Sequence, residues 1–508
     1  MNPKALFAAV LLTAVCLAPL AAEEAAKDSG EAAEASEDDI FGADEEVAQA
    51  TEETQNAAPR DVLLQSATPW ITGTFTSSVG LDWRWSDAWG GSADFLSPTS
   101  YGLSQTATSL DLGFVARPDT DISVTGRIKA SYPFVQEVTA LASKTATTST
   151  TYTVPDFTVW ALYSKFNWND ILFFSFGKQP LKWGTGYFFS PADDIFAQSE
   201  VDLDDPTAER EGPLALKIQY PIPGTMDNLY LFAALPVTDV SSLSELKPED
   251  VAVAGKAEFL FGNTELAAAG YYQRSERPRA LLMGTTGFWN INFFAEGLAA
   301  FPGTESEAYV EKASSTVTWG TAGSSEYSVV DRKGEILYAA TVGGMYMNSD
   351  WNFTVVGQYL YNGQGYSTLT LGDLLQAVVD RTLSQPSGEP TLSYADLVSS
   401  LSGLGKIGQH YGVVYLGWTE LWDTKLDFSV LALANFSDLS GYVKPTLSFT
   451  CFNYVKLSCG PSFTWGGDGS EYADSAGLFS ALAAGDFDYV TKPTVSLSIT
   501  ASFGTTSF

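Results

Sequence analysis

The chain has 508 residues, of which 45% are hydrophobic, 13% aromatic and 17% charged, and its formal net charge is −33. Its single histidine, His410, leaves no material for a His-based catalytic triad or a His-rich metal centre, so we expect no enzyme activity and no metal or other cofactor. Mean hydropathy is only +0.01, and no apolar run after residue 22 approaches the roughly 20 residues of a membrane helix.

Two segments precede the first predicted strand. Lys4 belongs to a short basic start, residues 5–20 are apolar, and Ala21 and Ala22 are small, which predicts a secretory signal peptide over 1–22. Residues 23–66 are rich in Ala, Glu, Asp and Gln, and such a segment cannot bury enough apolar surface to fold. We expect an acidic, disordered periplasmic segment there, followed by one folded domain over 67–508.

A strict two-residue period marks both ends of this domain. Apolar side chains alternate with Thr, Ser, Asp and Arg over 70–85, and with Thr and Ser over 494–503. Further segments of strand length lie between them, at 104–116, 121–133, 156–167, 171–178, 213–221, 227–235, 251–261, 264–273, 279–289, 291–301, 336–347, 351–361, 410–421, 424–434, 441–451 and 455–465. We predict about 18 strands, with 16 as the alternative.

The connections between these segments alternate between short turns, such as 168–170 and 262–263, and longer loops, such as 134–155, 179–212 and 362–409. Two connections on the long-loop side, 274–278 and 435–440, are short. This segregation is typical of outer-membrane barrels. It predicts an all-β fold, a transmembrane antiparallel up-and-down β-barrel with long extracellular loops and short periplasmic turns. An even strand number puts both termini on the periplasmic side. A large soluble all-β protein would share the alternation of side chains, but has no reason to segregate loop lengths.

A barrel of this size encloses an aqueous channel unless something fills it. Strand parity predicts a basic set of side chains on the lumen wall. Its members are Arg84, Arg127, Lys129, Lys217, Lys444 and Lys456.

The third long loop, 179–212, is rich in acid and is the candidate for a pore constriction. Its candidate residues are Lys182, Asp193, Asp194, Glu200, Asp202, Asp204 and Asp205. Carboxylate clusters favour cations and rows of Lys or Arg guide anions, so acid facing base would set up a field across the pore. The alternative is a solvated acidic surface loop. The sequence also leaves open whether the aspartates of 202–205 bind calcium, whose ligands are oxygens.

Two stretches resemble porin-like outer-membrane proteins. One is a strand end of the form Gly-basic-Gln, followed by Trp-Gly and then by Pro and Asp, here at 177–179, 183–184, Pro191 and Asp193. The other is the amphipathic last strand with its final Phe508, which in outer-membrane barrels is read by the assembly machinery. In the porins that this chain resembles, the third loop folds into the barrel and sets the constriction. The resemblance implies a channel family and an outer-membrane location, and no particular substrate.

The leading hypothesis is therefore a porin-like channel of the bacterial outer membrane for passive diffusion of small hydrophilic solutes or ions. The alternative is a surface-exposed barrel whose long loops act as an adhesin or bind another partner. We expect contact with outer-membrane lipid and with the assembly machinery, and no nucleic-acid partner; a homotrimer stays open. Helical apolar spacing over 371–383 and 394–403 predicts a helix pair within the loop 362–409.

Overall fold

Eighteen antiparallel strands form a single sheet that closes on itself. The computed structural model describes residues 71–87, 98–119, 122–133, 136–143, 146–152, 156–235, 247, 250–274, 276–304, 308–319, 323–383, 406–451, 454–474 and 490–505. The predicted signal peptide, 1–22, and the predicted acidic segment, 23–66, lie outside the described residues and stay predictions.

The structure describes 22 strands, of which 18 form the barrel and follow one another around it in chain order. The strands are β1 (Ile71–Ser86), β2 (Ser100–Asp119), β3 (Ile122–Pro133), β4 (Gln136–Ser143), β5 (Ala146–Tyr152), β6 (Asp156–Trp168), β7 (Leu172–Lys178), β8 (Leu214–Pro221), β9 (Asn228–Leu235), β10 (Ala252–Phe261), β11 (Thr264–Tyr272), β12 (Arg279–Phe288), β13 (Ile291–Ala300), β14 (Ala308–Trp319), β15 (Gly323–Asp331), β16 (Leu337–Asn348), β17 (Phe353–Asn362), β18 (His410–Trp418), β19 (Leu426–Asn435), β20 (Ser440–Cys451), β21 (Val455–Trp465) and β22 (Thr494–Thr505). The pairs β4–β5 and β14–β15 are separate hairpins within two of the loops. Pairing of β22 with β1 closes the ring.

The predicted all-β barrel of 18 strands is confirmed. Each predicted segment overlaps one barrel strand. All the long loops leave one end of the barrel, together with the short connections 273–278 and 436–439, and short turns close the other end. The turns use residues that tolerate positive φ, such as Asn169 and Asp170, both at φ 53°. The two hairpins inside loops were not predicted, because their sequence was counted as connection.

The loop between β17 and β18 contains helix α1 (Leu371–Leu383), as its apolar spacing predicted. The second predicted helix, 394–403, lies outside the described residues. None of the helices that the structure describes is long and apolar enough to cross a membrane.

The two faces of the barrel wall differ in character. Large apolar side chains on one face are exposed, among them Leu282 at 69%, Val342 at 55% and Val414 at 47%. Their neighbours in sequence, Leu281 and Val413, belong to the opposite face and are buried. Because a closed barrel has only one face that other parts of the chain can cover, the exposed apolar face points outward and the covered face lines the interior.

Barrel closure can be tested by a cross-link between β1 and β22, where Ser78 faces Ser502. Directly opposite residues have Cα atoms about 4.5–5.5 Å apart, within the roughly 7 Å that a disulfide spans. With the native cysteines replaced by serine, Ser78→Cys with Ser502→Cys should oxidise to an intramolecular disulfide. The control Ser78→Cys with Ser498→Cys is offset by about 13 Å along the strand and should stay reduced. Equal oxidation of both pairs, measured by mass spectrometry, would contradict the register.

Candidate functional site

The third loop occupies 179–213 between β7 and β8, and it folds into the barrel interior. Its backbone is hydrogen-bonded to side chains of β13 and β17, on the far side of several strands. On β13, Phe293 is 42% exposed on the outward face, whereas Glu296 is buried. Since the loop contacts the face that carries Glu296, it lies against the inner wall.

The carboxylate of Glu296 is the main attachment point of the loop. Its Oε1 accepts hydrogen bonds from the backbone N–H of Thr185 at 2.5 Å and of Gly186 at 2.7 Å, and its Oε2 accepts one from Ala192 at 3.1 Å. The Ser190 hydroxyl donates to Oε1 at 3.0 Å. One wall carboxylate therefore satisfies three backbone donors of an irregular segment that has no strand partner.

Gln358 of β17 holds the next part of the loop. Its Oε1 accepts from the Phe188 N–H at 2.8 Å, and its Nε2 donates to the Phe189 carbonyl. Gln179, at the start of the loop, donates from Nε2 to the Ala215 carbonyl on β8 at 2.9 Å. Buried amide side chains thus complete the hydrogen bonding that water cannot supply at these positions.

Asp193 has a different position from the one the sequence suggested. It is only 6% exposed, and its Oδ1 accepts from the backbone N–H of Trp183 and of Gly184, both at 2.8 Å. The Lys256 ammonium of β10 donates to the Trp183 carbonyl at 2.9 Å. The carboxylate of Asp193 is thus turned toward the loop backbone, where it fixes the loop conformation.

Aromatic side chains pack the loop against the wall at two places. Trp183 and Phe196 contact the inward-facing Phe232, with ring centroids 5.6 and 6.1 Å away. Phe188 and Phe189 belong to a second buried cluster with inward-facing residues of β16 to β19, where Phe189 lies 6.1 Å from the Tyr411 ring. Burying such side chains stabilises the folded loop by about 1.5–3 kcal/mol each.

Two glycines let the loop approach this closely. A Cβ atom at Gly184 would lie 2.0 Å from the Ser190 Oγ and 2.7 Å from Glu296 Oε1, and one at Gly186 would lie 2.0 Å from the Phe189 carbonyl oxygen. Gly184 thus leaves space for Ser190 and the wall carboxylate, and Gly186 leaves space for the loop's own backbone at Phe189.

Beyond Phe196 the loop is charged and forms ion pairs with the wall and within itself. Asp204 pairs with Lys444 of β20 at 2.8 Å, and Glu209 pairs with Arg127 of β3 at 3.5 Å. Asp194 pairs with Arg210 at 2.7 Å within the loop.

The pairs at Asp204 and Glu209 define the path of this charged segment. Lys444 and Arg127 stand on wall strands that are separated by β21, β22, β1 and β2 in the closed order. The few residues from 204 to 209 therefore run across the interior from one part of the wall to another. We call 204–209 the crossing segment.

The remaining predicted site residues are spread over the loop and the wall. Lys182 and Glu200 are exposed. Asp202 accepts from the Asp204 N–H at 2.9 Å, and Asp205 accepts from the Thr207 hydroxyl at 2.7 Å, so both also shape the turn.

Four of the six predicted wall cations are accounted for as follows. Arg84 pairs with Asp474 of the last loop. Lys129 lies 4.7 Å from the Trp160 ring centroid and Lys217 lies 5.0 Å from that of Tyr230. Lys456 is exposed. The other two, Arg127 and Lys444, are the partners of the crossing segment.

Glu296 and Gln358 were missed by the sequence reasoning. Parity does place both on the inward face of their strands, where a polar residue among apolar neighbours is a detectable signal. It gives no hint that their partners lie more than a hundred residues earlier. Within the described part of the chain, no group of three or more His, Cys, Asp or Glu side chains is arranged as a metal site.

No family model matches the chain, and no curated protein matches it significantly. Among solved structures it is similar to OccK11 (OpdR) of Pseudomonas aeruginosa, with 7% identity, 86% of this chain and 96% of that chain covered, and a TM-score of 0.41. It is also similar to OccAB1 of Acinetobacter baumannii, with 11% identity, 86% and 96% coverage and a TM-score of 0.40. A mutant porin of Rh. blastica follows with 10% identity, 86% and 100% coverage and a TM-score of 0.37. Likenesses at this level carry no functional argument.

The attachment of the loop predicts a local effect of Glu296→Ala. The variant leaves three backbone N–H groups of 185–192 without an acceptor, and each unpaired buried donor destabilises the seated loop by about 1–3 kcal/mol. Amide hydrogen exchange over 185–192 in the refolded barrel should accelerate at least about tenfold, while exchange in the strands stays unchanged. Glu296→Gln, which keeps one acceptor oxygen, should give a smaller change, and Glu326→Ala, an exposed carboxyl of β15, should give none. Unchanged exchange in Glu296→Ala would show that the apolar contacts hold the loop alone.

Proposed function

We propose that this barrel is a channel of the bacterial outer membrane for passive diffusion of small hydrophilic solutes or ions, with the third loop as its constriction. The observation that carries the proposal is the crossing segment, which joins Lys444 on β20 to Arg127 on β3 through the barrel interior. A barrel of this strand number is wide enough for an aqueous channel, so a segment across the interior narrows what remains.

We place the open path of the channel between the crossing segment and the strands β21, β22, β1 and β2. The wall there is polar on its inward face: Ser458 is hydrogen-bonded to Ser448 at 2.9 Å, and Ser77 to Thr108 at 3.1 Å. The aromatic and anchored part of the loop packs instead against inward-facing residues of barrel strands between β8 and β19. Hydroxyl groups on the open side favour water and hydrophilic solutes over apolar ones.

Charges of opposite sign flank this space. The loop contributes the carboxylates of Asp204, Asp205 and Glu209, and the wall contributes Arg127 and Lys444. Charges within about 8–10 Å of a permeating ion act on it before salt screens them. We assign selectivity to these residues and exclude Asp193 from the set, because its carboxylate is buried within the loop.

The outward face supports the proposed membrane location. Its exposed apolar side chains would be costly in water and suit contact with lipid acyl chains. The predicted signal peptide supports export, and the last strand with Phe508 supports insertion by the outer-membrane assembly machinery. In this arrangement the long loops are extracellular and both termini periplasmic.

The membrane location predicts unequal effects of arginine at two adjacent residues near the middle of β21. Cys459 faces outward beside Leu447, whereas Ser458 faces inward beside Ser448. Cys459→Arg should destabilise the barrel by about 2–4 kcal/mol in lipid vesicles, because a charge then lies in the hydrocarbon. Ser458→Arg should leave the free energy of unfolding nearly unchanged. Equal losses in urea titrations of the two variants would refute a lipid-facing outer surface.

The constriction predicts opposite shifts in ion selectivity, measured as reversal potentials of the refolded protein in planar bilayers under a salt gradient. Asp204→Asn with Glu209→Gln should lower cation preference, and Arg127→Gln with Lys444→Gln should raise it. Glu326→Gln removes one negative charge from an exposed carboxyl on the β14–β15 hairpin, outside the third loop, and should have no effect. If neither pair shifts the potential, the third loop is not the filter. If the protein does not conduct at all, the surface-binding alternative gains.

A further inference from the structure

Residues 466–474, the first part of the last loop between β21 and β22, also contact the inner wall; we call this segment the ninth loop. Its Asp474 is 3% exposed and pairs with Arg84 near the long-loop end of β1. Its Glu471 contacts β18 and β19 on the other side of β20 and β21. Residues 471–474 therefore pass over the strands β20, β21 and β22, on the side of the barrel that the third loop leaves open.

The Glu471 carboxylate connects the ninth loop to β18 and β19. Its Oε2 accepts from the Tyr411 hydroxyl at 2.7 Å and from the Asn435 amide at 2.8 Å, and the Tyr472 side chain is also hydrogen-bonded to it. The Tyr411 hydroxyl accepts from the N–H of Gly408, in the loop between β17 and β18. The amide oxygen of Asn435 accepts from the Ser437 N–H at 2.8 Å, in the turn between β19 and β20.

The backbone of the ninth loop is seated by side chains of its neighbours. The Glu471 N–H donates to Asp438 at 2.8 Å, and the Tyr472 N–H donates to the Ser440 hydroxyl at 3.3 Å. Asp438 therefore brings a second carboxylate close to the Glu471 backbone, so Glu471 is held in place beside a like charge.

We propose that residues 466–474 form a gate over the long-loop mouth of the barrel, and that the protonation state of the Glu471 carboxyl decides whether the gate is seated or released. The proposal rests on the proposed function in one respect, since a gate has a use only if the barrel conducts. It adds a regulatory element that is separate from the selectivity residues of the third loop.

The groups around Glu471 set the direction of the pH dependence. Burial raises the pKa of Glu471 to about 7, and repulsion from Asp438 acts in the same direction. Hydrogen bonds from Tyr411, Asn435 and Tyr472 act in the opposite direction, because they favour the ionised carboxylate. Nearby charged or titratable groups include Tyr442 of β20, which contacts Tyr472, the Arg84–Asp474 pair, and Asp468, which is bonded to Thr491. The packed strands also carry His410, Tyr415, Asp427 and Lys444, and Lys444 pairs with Asp204 of the third loop.

In the seated state Glu471 keeps the buried contacts described above, and in the released state its carboxyl is in water. In water its pKa is near the ordinary 4.5. Because the seated pKa is the higher one, protonation favours the seated loop. Seating is strongest below pH 4.5, weakens as the pH rises and reaches its minimum above about pH 7. We therefore expect the gate to be seated in acid and released toward neutral and alkaline pH.

The gate also contacts the constriction through shared side chains. Tyr411 donates to Glu471 at its hydroxyl, and its ring lies 6.1 Å from Phe189 of the third loop. Tyr442 lies 5.6 Å from the Tyr472 ring and packs in the same cluster as Leu203 of the third loop. Release of residues 471–472 would thus remove packing from the outer side of the constriction.

The direct test is amide hydrogen exchange of 469–472 in the refolded protein from pH 5 to pH 8, corrected for the intrinsic pH dependence of exchange. Protection should fall by about tenfold or more as pH rises. Glu471→Gln, which cannot ionise, should hold the acid level of protection throughout. Tyr411→Phe removes a donor that favours the ionised carboxylate, so the transition should move to higher pH. Glu420→Gln, an exposed carboxyl at the short-turn end, should behave as the unaltered protein.

Amide hydrogen exchange can be measured whether or not the protein conducts, so the gate proposal and the channel proposal can be refuted separately. Protection that is flat with pH in the unaltered protein, or equally pH-dependent in Glu471→Gln, would overturn the gate. In planar bilayers the unaltered protein should show fewer closures at pH 8 than at pH 5, and Glu471→Gln should lose this difference. If exchange follows the expected pattern while no current flows at any pH, the pH-dependent loop stands and the channel function fails.

Discussion

The hydrogen bonds between Glu296 and the third loop are the contact on which the interior of this barrel depends. An irregular segment inside a barrel has backbone N–H groups with neither a strand partner nor bulk water, and each unpaired buried donor costs about 1–3 kcal/mol. Glu296 accepts from Thr185, Gly186 and Ala192, and Gln358 serves Phe188 in the same way. Such acceptors offset the cost of taking these N–H groups out of water. The acceptors stand on the wall because only the wall is held in place by a complete set of strand pairs.

Most of the wall could be predicted from the sequence, and most of the interior could not. A strand reveals itself locally, because side chains that alternate between lipid and lumen alternate in the chain. The lengths of the turns and loops are a second local signal. Together the two signals predict the number of strands and their order around the barrel. The contact between Glu296 and Thr185 joins residues 111 positions apart, and no local pattern encodes it. Asp193 shows the same limit, since its place in an acidic run suggested an exposed charge, whereas its neighbours in space make it a buried acceptor.

The third loop divides its residues between two tasks. From Trp183 to Phe196 its aromatic side chains pack into the wall, with Trp183 3% and Phe196 1% exposed. From residue 200 onward its residues are charged, and ion pairs hold them. The apolar part supplies the free energy that keeps the loop inside, because exposed ion pairs contribute at most about 1 kcal/mol each. The charged part is consequently available for the proposed selectivity.

The third and ninth loops act on the same open side of the barrel, and this arrangement places their proposed roles in series. The crossing segment bounds that side from β20 to β3, and residues 471–474 pass over it from β19 to β1 near the loop end. A solute that enters from the long-loop end would meet the ninth loop first and the charged segment after it. Tyr411 touches both, through its hydroxyl and its ring. Release of the outer loop would remove the Glu471 partner of Tyr411, whose ring packs beside Phe189, so we expect the gate to affect how the third loop is anchored in this proposed channel.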